Sequence, residues 1–119
     1  MYAENILEHY KNPHHWGALD EPTVSAEDSN PFCGDKYKID LKINNGIIEN
    51  AGFVGEGCAI SKAAISMLLD EIVGKTVDEV TKIDKQKVYE LLGVDISAGR
   101  VKCALMGLAV LKKALESYL

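Results

Sequence analysis

Cysteine is scarce in this sequence. The 119 residues contain only Cys33, Cys58 and Cys103, and no two of them form a C-x-x-C pair. Three thiols cannot all pair with one another, and their spacing is not that of a secreted disulfide framework. The missing C-x-x-C pair also argues against a thiol–disulfide redox protein. We therefore expect reduced cysteines and a cytoplasmic location.

Long apolar runs and an excess of positive charge are also missing. No stretch approaches the roughly 20 apolar residues of a membrane span, so we expect no membrane insertion. Lys and Arg total 13 against 18 Asp and Glu, and this net charge of −5 argues against a nucleic-acid partner. The hydrophobic content of 47% is typical of a globular protein. At this length we expect a single domain over residues 1–119.

Signatures of hydrolytic enzymes are absent from the sequence as well. It contains no H-E-x-x-H motif and no H-x-E motif followed by P-C-x-x-C, and it offers no assignable Ser–His–Asp set. A zinc hydrolase would also need a general base beside the metal, a role for which Asp35 or Glu56 is a candidate in principle. We therefore expect a protein that is not a catalyst in its own right.

The most informative stretch that is present runs from Asn30 to Asp35, with the sequence Asn-Pro-Phe-Cys-Gly-Asp. Pro31 fixes its own φ and biases Asn30 toward extended geometry. Gly34 permits a tight turn between Cys33 and Asp35. We expect a loop, outside any helix or strand, that presents a thiolate and a carboxylate in one direction.

Alternation with a period of two predicts strands after this loop. Four apolar residues alternate with four polar residues that we expect on a solvated face; the apolar set is Tyr37, Ile39, Leu41 and Ile43, and the polar set is Lys36, Lys38, Asp40 and Lys42. Asn45-Gly46 predicts a two-residue hairpin turn, with residues 47–54 as the partner strand. An edge strand is expected near residues 22–26.

Helical patterns occupy both ends of the sequence. Residues 2–11 predict a short amphipathic helix whose apolar face is Ala3, Ile6, Leu7 and Tyr10. Residues 59–73 predict a longer helix that Gly74 ends.

Capping signals predict three more helices. Thr76 to Glu79 match a capping box, and Asp84 is expected to cap the following helix, which ends before Gly93. A final helix is expected to begin near Ser97, with a buried face formed by Val101, Ala104, Leu108, Leu111 and Leu115. The predicted fold class is α+β: a small antiparallel sheet of about three strands, covered on one face by a layer of helices that includes a long C-terminal helix.

The second and third cysteines lie at predicted ends of elements. Cys58 follows a Gly-Glu-Gly break that ends at Gly57, so it meets the N-terminus of a helix, where unpaired N–H groups and the helix dipole favour a thiolate. Cys103 lies in the first turns of the last helix, beside Lys102. A buried cysteine is often no more than a small hydrophobic residue, and for Cys103 this alternative stays open.

Taken together, Cys33, Asp35, Cys58 and Cys103 form a four-ligand set suited to Zn²⁺ or to an iron–sulfur cluster. A fourth thiolate would hold a cluster permanently, whereas the harder carboxylate leaves one exchangeable corner. This donor set is therefore typical of assembly and release.

Other polar residues have simpler interpretations. Adjacent residues point apart in most backbones, so we expect His14 and His15 to be solvated, with a fourth-ligand role as the alternative. Ser61 and Ser66 are expected to permit close packing of their helix. Lys102 either neutralises charge at the metal group or is solvated.

Three motifs in chain order resemble the IscU/NifU scaffold family: Asn30 to Asp35, Gly57-Cys58-Ala59-Ile60-Ser61, and Val101-Lys102-Cys103. The opening residues 2–17 are similar to that family as well. The resemblance implies a scaffold on which iron–sulfur clusters, either 2Fe–2S or 4Fe–4S, are assembled. It implies that Cys33, Cys58 and Cys103 bind the cluster and accept sulfur, with Asp35 as the labile ligand and Gly34, Gly57 and Lys102 as auxiliary residues.

The same resemblance implies partners. A cysteine desulfurase would supply sulfur, and apo iron–sulfur proteins would receive the cluster. An exposed cluster also favours a homodimer bridged by it. A lysine directly before the third cysteine, here Lys102, resembles the SufU-type branch of the family, which holds zinc with three Cys and one Asp. That similarity implies the alternative of a zinc-bound sulfur-transfer partner of a desulfurase, although the longer insertion of that branch ahead of the third cysteine is absent.

Overall fold

A computed structural model describes residues 4–30 and 34–118 of the chain. The elements follow in the order α1 (Glu4–Lys11), β1 (Val24–Asn30), β2 (Asp35–Asn44), β3 (Ile47–Glu56), α2 (Ala59–Ile72), α3 (Val77–Thr81), α4 (Lys85–Leu92), a 3₁₀ turn (Ala98–Arg100) and α5 (Val101–Tyr118). The three strands form one antiparallel sheet in the order β1-β2-β3. The predicted α+β class is confirmed.

The hairpin between β2 and β3 has the predicted two-residue turn. Asn45 and Gly46 both have positive φ, 55° and 75°, as a type I′ turn requires. Asn44 pairs with Ile47 directly across the turn. The local sequence therefore sets the register of this strand pair.

Side-chain caps set the starts of two short helices, as predicted. Thr76 and Glu79 form the reciprocal capping box of α3, with Glu79 N–H donating to Thr76 Oγ1 at 3.1 Å. The Asp84 carboxylate accepts from Gln86 N–H at the start of α4. Gly93, with a φ of 70°, ends α4 in the left-handed conformation.

The core lies between one face of the sheet and the helices α2 and α5. Alternate β2 residues point into it, and they are Tyr37, Ile39, Leu41 and Ile43. Helix α2 is buried on most of its circumference, because α1, α4 and α5 all pack against it. The predicted core face of α5 is buried at Ala104, Leu108, Leu111 and Leu115, whereas Val101 is half-buried.

The prediction of a solvated second sheet face is wrong at Asp40, which is only 2% exposed. Its carboxylate accepts from Leu19 N–H at 3.0 Å and from Ser25 Oγ at 2.6 Å. The loop after α1 also pairs with β3, since Gly17 N–H donates to the carbonyl of Phe53 at 2.8 Å. This loop therefore covers part of the sheet face that the alternation had assigned to water.

Two further predictions need correction. The first strand runs over Val24–Asn30 rather than residues 22–26, and Asn30 pairs with Asp35. The stretch predicted as a free loop thus begins and ends in paired strands. On α1, Ile6 is buried, but Leu7 and Tyr10 are exposed, so the apolar face of that helix is narrower than predicted.

Candidate metal centre

Asp35 begins strand β2 and is 1% exposed. Its Oδ1 accepts the backbone N–H of Cys58 at 3.1 Å. Its Oδ2 has no hydrogen-bond partner among the described residues, although it is buried. An unpartnered buried carboxylate oxygen is costly, and a bound cation is one arrangement that removes the cost.

Cys58 is the N-cap residue of α2. Its extended backbone ends the β3-to-α2 connection, and its Sγ accepts from Ser61 N–H at 3.5 Å. The sulfur therefore takes the position that a Ser or Asp oxygen takes at most helix N-termini. The thiol is half-buried, which leaves part of it accessible.

Burial of the Cys58 thiol raises its pKa, whereas hydrogen bonds with the Ser61 N–H and hydroxyl lower it. The Asp35 carboxylate opposes the thiolate, and the Cys103 side chain favours it. The net result is a pKa below the usual value. Cys58 is therefore predisposed to the thiolate form that binds metals and attacks sulfur.

Cys103 is the third residue of α5 and is only 2% exposed. Burial of this kind is also found for a purely apolar cysteine, but Cys103 has two other potential metal ligands beside it. One ligand atom from each of Asp35, Cys58 and Cys103 lies within 4.8 Å of the other two. The start of β2, the N-cap of α2 and the first turn of α5 therefore bring two sulfurs and one oxygen to a single point.

Tyr37 is a part of the site that the sequence did not reveal. Its hydroxyl lies 2.9 Å from Ser61 Oγ, which in turn lies 3.6 Å from Cys58 Sγ. Burial, opposed by the Ser61 hydrogen bond, raises the pKa of Tyr37 to about 12, so the phenol stays neutral. Ser61 was predicted only to permit packing, but it orders the Cys58 side chain.

Gly57 lies where a side chain cannot fit. A Cβ there would be 2.6 Å from Tyr37 Oη, 2.7 Å from Ser61 Oγ, and closer still to Asp35 Oδ1. Heavy atoms in ordinary contact stay well above these separations. A glycine at this position therefore lets the chain pass directly over the site.

The remaining predicted site residues are placed as follows. Cys33 lies outside the described residues. Gly34 has a φ of 73° and donates its N–H to the carbonyl of Asn30 at 2.9 Å, which makes the tight turn before Asp35. Lys102 is exposed and stands next to Cys103 at the start of α5.

The histidines predicted to be solvated belong to a second polar cluster. His14 Nδ1 and His15 Nε2 contact the two oxygens of Asp70 at 2.5 and 2.8 Å. His15 has a φ of 63°, which turns the two neighbouring rings toward the same carboxylate. That backbone conformation is rare for a non-glycine residue, so no local pattern indicated it.

His9 joins this cluster from α1. Its Nδ1 lies 2.7 Å from Ser66 Oγ, and the same Oγ accepts His14 N–H at 2.7 Å. Burial and the nearby His14 lower the pKa of the His9 imidazole. Ser66, predicted only as a packing residue, therefore connects two histidines to α2.

Comparison with known families gives a match over the whole chain. The family model for the NifU-like N-terminal domain matches residues 1–119. A Bacillus subtilis protein named zinc-dependent sulfurtransferase SufU is 34% identical over 130 residues, covering 95% of this chain and 88% of the relative. Proteins named iron–sulfur cluster assembly scaffold protein IscU, from Thermotoga maritima and Escherichia coli, are 32% and 31% identical, each covering 98% of this chain and 93% of its own length.

Solved structures agree with the fold. A crystal structure of a hypothetical protein matches with a TM-score of 0.81 at 30% identity, covering 94% of each chain. A Fervidobacterium islandicum protein, described as an iron–sulfur cluster assembly scaffold for the SUF system, matches with a TM-score of 0.79 at 26% identity and 96% coverage of both chains. Within the described residues, none of the helices has the length and apolar character to cross a membrane.

Proposed function

We propose a function from one premise: this chain belongs to the NifU-like N-terminal domain family, with IscU and SufU scaffolds for iron–sulfur cluster assembly as relatives. The protein builds a labile iron–sulfur cluster on three cysteines and one aspartate. The cluster, 2Fe–2S or 4Fe–4S, is the cargo. Sulfur comes from a cysteine desulfurase, and apo iron–sulfur proteins receive the product. Cys33, Cys58 and Cys103 supply thiolates, and Asp35 supplies the fourth ligand.

One observation carries this proposal: the convergence of Asp35, Cys58 and Cys103, whose ligand atoms lie within 4.8 Å of one another. Thiolates are the ligands that iron–sulfur clusters prefer, and these two come from residues 45 positions apart in sequence. Cys33, which lies outside the described residues, is separated from Asp35 by one residue in the sequence.

The geometry of Asp35 suits a replaceable ligand. Its Oδ1 is held by Cys58 N–H, while Oδ2 is unpartnered among the described residues. A carboxylate binds cluster iron more weakly than a thiolate does. We therefore assign Asp35 to the corner of the cluster that exchanges first during transfer.

Anaerobic reconstitution with iron and sulfide tests the ligand set. The protein should develop visible absorbance, which Cys58→Ala and Cys103→Ala should each abolish. Asp35→Ala and Asp35→Cys should both retain colour but slow the transfer of the cluster to an apo-ferredoxin. Asp78→Ala, which removes an exposed carboxylate on α3, is the matched control and should transfer at the wild-type rate. Transfer from Asp35→Ala that is as fast as from the wild type would refute the role given to Asp35.

A second candidate function is zinc-bound sulfur transfer, in which the protein accepts persulfide sulfur from a desulfurase and stimulates it. The 34% identity to the Bacillus subtilis protein named zinc-dependent sulfurtransferase favours it, as does Lys102 before the third cysteine. Zinc would be held by the same three cysteines and Asp35, and it would keep the thiols deprotonated.

Metal analysis after anaerobic purification separates the two functions. Iron with an equal amount of acid-labile sulfide supports the cluster scaffold. Zinc without iron that is lost in Cys58→Ala, together with activation of a desulfurase, supports sulfur transfer. Gel filtration of apo and reconstituted protein tests the proposed cluster-bridged homodimer, since identical monomeric elution volumes would exclude the bridge.

A further inference from the structure

A second group of metal-ligating side chains lies away from the thiols. His9 comes from α1, His14 from the loop that follows, and Asp70 from the C-terminal half of α2. Asp70 is twelve residues beyond Cys58 on the same helix, which corresponds to about 18 Å along the axis. The two groups therefore cannot share one ion.

The three side chains are close enough to bind one ion together. One ligand atom from each of His9, His14 and Asp70 lies within 4.8 Å of the other two. The two imidazole centroids are 4.5 Å apart, with the ring planes inclined at 51°. Ligands of a tetrahedral ion with bonds of about 2.1 Å are separated by roughly 3.4 Å. His14 Nδ1 and Asp70 Oδ2 lie closer than this, at 2.5 Å, so a bound ion would replace their hydrogen bond and the two atoms would move apart by about 1 Å.

The side chains that must move for this rearrangement are the two exposed ones, and the hydrogen bond from His15 Nε2 to Asp70 Oδ1, at 2.8 Å, keeps the second carboxylate oxygen in place. The side chains of His14 and Asp70 are 52% and 40% exposed. His9 is instead anchored, because its Nδ1 is hydrogen-bonded to the fully buried Ser66. This bond leaves His9 Nε2 as the ligand atom, and a hydrogen bond from the other ring nitrogen is the usual way a metal-binding histidine is oriented.

We propose that His9, His14 and Asp70 form a second metal site, one that binds a single divalent transition-metal ion of the Zn²⁺ class. Two imidazoles and one carboxylate match the ligand preference of such ions, and solvent completes the coordination because the site is open to water on one side. The site contains no thiolate, so it takes a simple ion rather than a cluster. Its occupation would fasten α1 and the following loop to α2.

A zinc titration followed by NMR tests this second site. Untagged protein labelled with ¹⁵N is titrated with Zn²⁺ at pH 7.5, and the ring-nitrogen signals of the histidines are recorded. The His9 and His14 signals should shift with a zinc stoichiometry separate from that of the thiols. Calorimetry should show two classes of site in the wild type, and His14→Gln and Asp70→Asn should each weaken the thiol-independent class at least tenfold.

Asp78→Asn is the matched control, because it removes one exposed carboxylate from a different helix. It should leave both zinc classes unchanged. His14 is exposed, so His14→Gln provides a folded variant even if Asp70→Asn is unstable, and a far-ultraviolet melting curve checks each one. Ring signals that do not respond to zinc, or equal zinc affinities in His14→Gln and Asp78→Asn, would overturn the proposal. The side chains of His9, His14 and Asp70 would then form a polar network only. Either result is independent of whether the thiols bind an iron–sulfur cluster.

Discussion

Substitution of Gly57 by alanine should disturb the candidate metal centre, because the backbone at Gly57 passes directly over it. The added methyl group would lie within 2.7 Å of Tyr37 Oη and Ser61 Oγ, and closer to Asp35 Oδ1. All three neighbours are buried, at 1% exposure or less, so none can swing into solvent. Either the Gly57 backbone or the carboxylate of Asp35 has to move.

The size of the effect follows from these contacts. Overpacking by one methyl group in a rigid site costs about 1–3 kcal/mol. If Asp35 moves, the hydrogen bond from Cys58 N–H is lost as well, and a bond to a charged group contributes about 1.5–3 kcal/mol. Because relief of one strain reduces the other, we expect a loss of about 2–3 kcal/mol in the free energy of unfolding, or roughly 8–12 °C in Tm for a chain of this length.

Urea denaturation of the apo protein measures the stability, and competition with a chromogenic chelator measures zinc affinity, which should fall at least tenfold. Gly99→Ala is the matched control, since a Cβ at Gly99 meets nothing within 4 Å. It should leave both quantities unchanged. Wild-type stability and zinc affinity in Gly57→Ala would refute the claim that the site has no room for a side chain at this position. A loss of stability without loss of zinc affinity would show that Asp35 does not move.

Three further changes test other parts of the molecule. Ser61→Ala removes the hydroxyl that lowers the pKa of Cys58, so that pKa should rise and alkylation of Cys58 at neutral pH should slow. The alkylation rate of the Cys58 peptide is followed by mass spectrometry, and an unchanged rate would contradict this. Gly107→Ala places a Cβ closer to Ile65 Cγ1 than van der Waals contact allows, at the point where α5 packs on α2. It should lower the free energy of unfolding, measured in urea, by about 1–3 kcal/mol. A change below about 0.5 kcal/mol would show that the two helices move apart to make room. Thr76→Ala breaks the capping box of α3 and should cost about 1 kcal/mol in the same assay, with an unchanged midpoint as the opposing result.

Much of the fold was predictable because its signals are local. The Asn45-Gly46 turn and the caps at Thr76 and Asp84 each depend on two to four neighbouring residues, and each has the predicted geometry. Strand β1 was placed poorly because only Val24 and Ala26 alternate with polar residues, and the rest of the strand, EDSN, is entirely polar. Its pairing with β2 holds it in the sheet, and a single-sequence pattern does not contain that information.

The candidate site also has residues that the local sequence indicated and contacts that it did not. Glycine and proline positions indicated the loop that holds Asp35 and the helix N-terminus at Cys58, and a predicted helix start indicated Cys103, although Asp35 proved to be the first residue of a strand. The hydrogen bonds of Tyr37 with Ser61, and of His14 with Asp70, join residues 24 and 56 positions apart. Tyr37 fits an alternating strand pattern equally well as an ordinary core residue, so its hydroxyl carried no signal. The contact between His14 and Asp70 also needed an unusual backbone conformation at His15.

Asp40 couples the far side of the sheet to the metal centre. It accepts from Ser25, its direct neighbour across the β1–β2 pair, and so fixes how those two strands align. A shift of one residue would turn every side chain of a strand to the opposite face, Asp35 included. The orientation of the Asp35 carboxylate, the proposed ligand, thus depends on a buried acid five residues away, and sequence variation at Ser25 or Asp40 would reach the proposed metal site through strand alignment.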